Sequence, residues 1–259
     1  MFKKYIHLFA GLLAFLYTGC LLVSCAPAGY TNKEAVAWMD KEPIELTLFE
    51  KEMKNQEFNI RIHFNGRYGV RLDSEPEGWT KEYKEGVPLK LLKEAALEEA
   101  KKTKATLLVA REKGLIKTVS FYELQKYGAG DMKKAFKAGI GEEEVSVLPA
   151  GDRDVFARFM EIVKHELKKG LREDIGVEDV KGLIKERGTG ELRNYIRLGP
   201  GDGADVDRLA GDIFADPQKL SVVRDLIQED KYNAAIRQKI ESSQIKVNEE
   251  VYEKVSLER

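Results

Sequence analysis

YNAAIRQKIESSQIKV, residues 232–247, is the stretch whose reading decides the fold. Tyr232, Ala235, Ile236 and Ile240 recur at three- and four-residue spacing, which marks one apolar face of a helix. Ile245-Lys246-Val247 then alternates as a half-buried strand does. Toward the other end of the chain, Ile44, Leu46 and Leu48 alternate with Glu45 and Thr47 in the same period of two. Thr47 followed by Glu50 has the spacing of a capping box, which predicts a helix from about Leu48 through Phe49, Met53, Phe58 and Ile62 to the glycines at 66 and 69. A strand near each end with helices between them predicts a mostly α fold. Its small sheet is formed by an N-terminal and a C-terminal strand.

The segments between carry helical periods separated by turn chemistry. Asp73-Ser74-Glu75-Pro76-Glu77-Gly78-Trp79 is a turn that contains an aromatic, and Pro88 suits the first turn of a helix. Leu89, Leu92, Ala96 and Ala100 mark the inner face of that helix, and Glu112-Lys113-Gly114 closes it. Ser120-Phe121-Tyr122-Glu123 is a second capping box. The helix it starts is interrupted at Tyr127-Gly128-Ala129-Gly130, because each interior glycine costs about 1 kcal/mol against alanine. Asp152 caps the next helix, where Phe156, Phe159, Ile162, Val163, Leu167 and Leu171 share a face. Val177 to Glu186 reads as a short helix, Gly188 to Asp207 as a long loop, and Asp205 to Phe214 and Pro217 to Gln228 as two more short helices. There is no internal repeat.

The chain begins as an exported protein does. Lys3 and Lys4 precede an uncharged apolar run from Ile6 to Ser24, the polarity order of a secretory signal. Leu22-Val23-Ser24-Cys25 resembles a bacterial lipobox, which makes Cys25 the lipidation site. Ala26-Pro27-Ala28 offers an ordinary cleavage before Gly29, and the run also has about the length of an uncleaved anchor. The chain has two cysteines. With Cys20 inside the signal, the exported part has no internal disulfide to staple it and must rest on a hydrophobic core. The 43 basic and 44 acidic residues are mixed along the chain, which argues against a nucleic-acid-binding surface.

With these elements in order, the chain resembles the SurA/PrsA-type parvulin foldases of bacterial envelopes. The resemblance is carried by Glu42-Pro43-Ile44 leading through Leu48-Phe49 into a helix and by Leu91-Leu92-Lys93-Glu94-Ala95-Ala96-Leu97. Glu112-Lys113-Gly114-Leu115-Ile116 before Ser120-Phe121, and Tyr232 to Val247-Asn248, complete it. It implies an extracytoplasmic, membrane-anchored, chaperone-like unit whose partners are unfolded or exported proteins. The organisation expected is a signal peptide over 1–24, a tether over 25–42 and a chaperone-like helical domain over 43–172 and 231–259. An insert of short helices and loop, 173–230, stands in place of a parvulin domain. About sixty residues lie there, where a parvulin unit takes about ninety. The family's catalytic histidines also have no counterpart, since the chain's three histidines are His7, His63 and His165. The resemblance therefore implies a binder with no catalytic residue and no cofactor. Alternatives are a prolyl isomerase with a diverged parvulin unit, and a structural or assembly lipoprotein that holds one specific partner.

Other motifs read as ordinary surface. Gly199-Pro200-Gly201-Asp202-Gly203-Ala204 lacks the buried strand that a dinucleotide site needs before it. Asp202, Asp205, Asp207 and Asp212 lack calcium-loop spacing. His165-Glu166 has Lys169 where a zinc helix has its second histidine. No metal ligand set is expected. A client-binding cradle works through apolar and aromatic surface that re-packs against different partners. Its candidates are Tyr68, Trp79, Tyr83, Phe121 and Tyr122, which fall near expected loops or helix ends.

Overall fold

The computed structural model describes residues 35–72, 74–127, 134–137, 155–172, 175–198 and 205–257. The signal, Cys25 and the small-residue cleavage site lie outside them, as do Asp152, Asp202 and the glycines at 128, 130, 199, 201 and 203. Strands β1 (Ala35–Met39) and β2 (Glu42–Glu45) open the described chain, followed by α1 (Leu46–Tyr68), a 3-10 turn (Pro76–Trp79) and α2 (Pro88–Glu112). Next come α3 (Phe121–Lys126), α4 (Val155–Arg172), α5 (Val177–Leu192), α6 (Val206–Ala215) and α7 (Pro217–Ser242). Strand β3 (Ile245–Val247) and α8 (Glu249–Lys254) end it. The fold is mostly helical with one small sheet.

The sheet does join the two ends of the chain, but with an extra strand. Its order is β2-β1-β3, all antiparallel, with Trp38 opposite both Pro43 and Lys246. The central strand is thus Ala35–Met39, which falls inside the expected tether, and β3 pairs with it and not with the Ile44 strand. Val36, Ala37 and Met39 are fully buried, as a central strand covered by helices requires. Pro43 lacks a donor and lies on the outer strand, where the ladder can spare one. The first helix starts at Leu46, earlier than the capping-box spacing of Thr47 and Glu50 predicts, and its N-cap is Glu45 without a side-chain cap bond. The Glu45 carboxylate is engaged instead by Lys104. Gly69 ends the helix at φ +67°, with its N–H on the Asn65 carbonyl.

Helix α2 is the axis of the body. Ala96, Ala100, Ala105 and Ala110 are fully buried, small enough to let α1 and α7 close on it, while Leu92 and Leu107 fill the spaces between. Phe121 stands edge-on to Phe156 at 4.6 Å between ring centres, and Phe136 lies against Phe159 at 4.9 Å, which seats α4 on the same core. Tyr232 reaches across from α7, and its hydroxyl meets that of Thr106 at 2.9 Å, which in turn donates to the Lys102 carbonyl. Lys93 donates to the Tyr252 and Glu253 carbonyls, both at 3.0 Å, and so caps α8 and holds the C-terminal helix against the body.

The region between Arg172 and Tyr232 differs most from its sequence reading. The helix from Val177 continues to Leu192 across a kink at Gly188, so part of the expected long loop is helical. Pro217 begins one helix of 26 residues that runs to Ser242, where two separate helices were expected. No glycine or proline interrupts Gln228-Glu229-Asp230-Lys231, so nothing stops it. The insert's boundary at residue 230 therefore lies inside a helix. A second apolar cluster, with Val180, Leu183, Ala210, Ile213, Val223 and Ile227 at its heart, packs α5, α6 and the first half of α7 together.

Candidate functional site

Of the aromatics named from sequence, Tyr68 and Tyr83 are brought together at 5.2 Å, each also against Phe64, at 5.5 and 5.2 Å. Both are half-buried. Trp79 and Phe121 are core residues, and their reading as client-binding surface is corrected. The indole N–H of Trp79 donates to the Leu72 carbonyl at 2.9 Å beneath the 3-10 turn, and Phe121 has no exposed surface. Glycine at 78 leaves room for Leu72, since a Cβ there would lie 2.8 Å from Leu72 Cδ2. Tyr122 is exposed, with the Lys126 ammonium 3.9 Å from its ring centre. It lies on α3, apart from the tyrosine pair.

The sequence reading missed two residues. Phe58 and Ile62 on α1 are 59% and 56% exposed. Phe49, Met53, Ile60 and Phe64 turn to the core, and at about 100° per residue Phe58 and Ile62 stand roughly 180° and 220° round the helix from Phe49. The helical wheel carries this signal, whereas the sequence reading uses Phe58 and Ile62 only to set the extent of the helix. With Arg61, Asn65, Val70 and Leu72 the pair lines a shallow groove of about 210 Å³.

A second concavity of about 660 Å³ lies between α5, the C-terminal half of α7 and α2. Ala234, Ile236 and Ile240 form its apolar side, Glu186 stands on the α5 wall, and Lys102, Asn233 and Arg237 line the rest. Asp230 and Lys231, at its end, are already engaged. The Arg187 guanidinium holds both Asp230 oxygens, at 2.5 and 3.3 Å, and Lys231 pairs with Asp179 at 2.8 Å. That contact, first of all, holds the Asp179 carboxyl below its ordinary range, helped by the Gly176 N–H.

Among the described residues the most deeply buried ionic group is Lys104, with no exposed surface. Its ammonium lies 2.9 Å from Glu45 Oε2 and donates to the Val119 carbonyl at 2.7 Å, while Glu45 Oε1 accepts the Phe121 N–H at 2.8 Å. Burial pulls the lysine down from its ordinary range and the Glu45 charge opposes that. The pair ties β2, α2 and the start of α3 together. The remaining motifs are occupied locally. Asp205 caps α6, Asp207 pairs with Lys181 at 2.8 Å, Asp212 lies 3.7 Å from Arg208, and Glu166 lies 3.7 Å from Lys169. Among the described residues no group of three or more His, Cys, Asp and Glu is placed to hold a metal ion, and no helix is long and apolar enough to cross a membrane.

Comparison of the chain with models of protein families, with curated proteins and with solved structures finds no match.

Proposed function

We propose that this protein is an extracytoplasmic, chaperone-like binder that holds unfolded or immature exported proteins, tethered to the bacterial membrane through a lipid on Cys25. The observation that carries the reading is the outward Phe58 and Ile62 pair. Two large apolar side chains one helical turn apart, more than half exposed on the outward side of α1, contribute little to the core and are free to meet an apolar segment of a client. Two features support it further. The two ends of the chain meet in one sheet, as the resemblance to the foldases implies, and the described residues between Arg172 and Tyr232 form helices, where a parvulin unit would bring a sheet.

The test is suppression of aggregation of an unfolded exported protein by the chain from Gly29 onward, which contains the whole compact unit that begins at Ala35. Suppression at near-stoichiometric ratio is expected. Phe58→Ser with Ile62→Ser should weaken it several-fold with the thermal midpoint nearly unchanged, because exposed substitutions shift stability by only about 0.5 kcal/mol. Indifference of the wild-type chain at several-fold excess overturns the reading. The mass of the mature N-terminus separates a lipidated Cys25 from cleavage before Gly29.

A further inference from the structure

The cleft between α5 and the C-terminal half of α7 differs from the Phe58 groove in size and in charge. It is larger, and its volume of about 660 Å³ falls in the range of roughly 300–1,000 Å³ typical of ligand pockets. Its two sides carry opposite charge. The side chains of Glu186 on α5 and Arg237 on α7 make no ion pair or hydrogen bond among the described residues, whereas Lys102, Asp230 and Lys231, which also line the cleft, are each paired. Ala234, Ile236 and Ile240 line the same cleft, and Asn233 adds an amide that both donates and accepts.

We propose that this cleft takes an extended segment of a polypeptide client that carries a short apolar stretch between side chains of opposite charge, its cation toward Glu186 and its anion toward Arg237. The inference rests on the proposed function and names where such a client is held and what sequence it presents. The paired waist supports the choice of occupant. Among the charged residues that line the cleft, Asp230 pairs with Arg187, Lys231 with Asp179 and Lys102 with Glu99, which leaves Glu186 and Arg237 to take a partner. A small anion would leave Glu186 unmatched, and a small cation would leave Arg237 so. A mixed-charge peptide answers both walls at once.

The experiment uses the full chain and two fluorescent probes: a reduced, carboxymethylated unfolded protein, and a twelve-residue peptide with three central leucines flanked by lysines on one side and glutamates on the other. Binding is read by anisotropy. Ala234→Trp fills the cleft from an exposed helix position, and Arg237→Glu makes both walls acidic. Each is expected to raise Kd for the mixed-charge peptide at least tenfold, with the thermal midpoint unchanged. Gln238→Trp, exposed on the same helix outside the cleft, should leave it as it is. A leucine peptide flanked only by glutamates or only by lysines should bind more weakly than the mixed one. If the wild-type chain binds the unfolded protein and both cleft variants bind the peptide as it does, the cleft assignment is overturned and the client-binding reading stands. If the wild-type chain binds neither probe, the reading itself falls, and the cleft assignment falls with it.

Discussion

Lys104 and Glu45 show how far single residues can be read. In sequence Glu45 is the polar position of an alternating strand and Lys104 one of several lysines on a helix, yet both are buried and face each other at 2.9 Å. Removing one partner of a buried pair leaves the other charge stranded, which typically costs about 3–5 kcal/mol. Lys104→Met should therefore lose stability of that order in urea unfolding, and adding Glu45→Gln should recover part of it. A loss in the double variant equal to the sum of the two single losses would count against the pair. Asp40 works differently. It sits in the left-handed region at φ 56°, where Asp and Asn are tolerated, and its Oδ1 accepts the Gln244 N–H at 2.9 Å while Ser243 donates to Oδ2 at 3.1 Å. The Gln244 N–H above all, with Ser243 and the charge of Lys239, holds its carboxyl below the ordinary value. The folded protein therefore binds that proton more weakly than the unfolded chain. The stability this confers is present above the ordinary carboxylate range and is lost as pH falls through the depressed value. Asp40→Asn keeps the backbone conformation and removes the charge, so its thermal midpoint should fall less steeply in acid than that of the wild type.

At the scale of elements, the turn and cap signals were the most legible. Gly69 ends α1, Pro88 opens α2, and Asp205 caps α6 with its carboxylate on the N–H groups of Asp207 and Arg208. Ser120 also caps α3 by accepting the Glu123 N–H, although the Glu123 carboxylate turns to Thr118, so the reciprocal half of the expected box is not made there. Length was less legible, because propensity says where a helix may stop and packing decides whether it does. Helix α5 crosses Gly188, which adopts φ 73° and ψ 158°, a conformation that residues with a Cβ avoid. Gly188→Ala meets no neighbouring atom, so its cost is backbone strain alone. It should destabilise α5 by about 1–3 kcal/mol, read as faster amide exchange from Val177 to Leu192. Protection equal to that of the wild type would mean that the kink can be remade with an ordinary backbone.

For the molecule as a whole, one helix joins two cores. Tyr232 and Ile236 of α7 belong to the body, Leu220, Val223 and Ile227 to the second cluster, and the four residues between are polar. Glu229 reaches back to Lys168 of α4, while Asp230 and Lys231 reach Arg187 and Asp179 of α5, so ion pairs hold the waist where apolar packing stops. Such a joint lets the second cluster open without the first. Ile213→Ala, wholly within that cluster, should cost about 2–5 kcal/mol there. The expected signature is faster exchange in α5, α6 and the first half of α7, with β1 and α2 protected as in the wild type. Uniform loss of protection would show that the two cores unfold together.

By itself the sequence determined the class of fold: helices with a small sheet to which both ends of the chain contribute. Periods of two and near four are local properties, set by which side of a strand or helix each residue faces. The tertiary structure alone decided that Ala35–Met39 is the central strand, since an alternation too weak to see is overridden when two neighbours and a helical layer enclose it. It also decided that Trp79 and Phe121 turn inward while Phe58 and Ile62 turn out, and that a charged run inside α7 becomes the waist beside a cleft. Each of these depends on what lies across the core from a residue, and a neighbour far away along the chain leaves no mark on the local pattern.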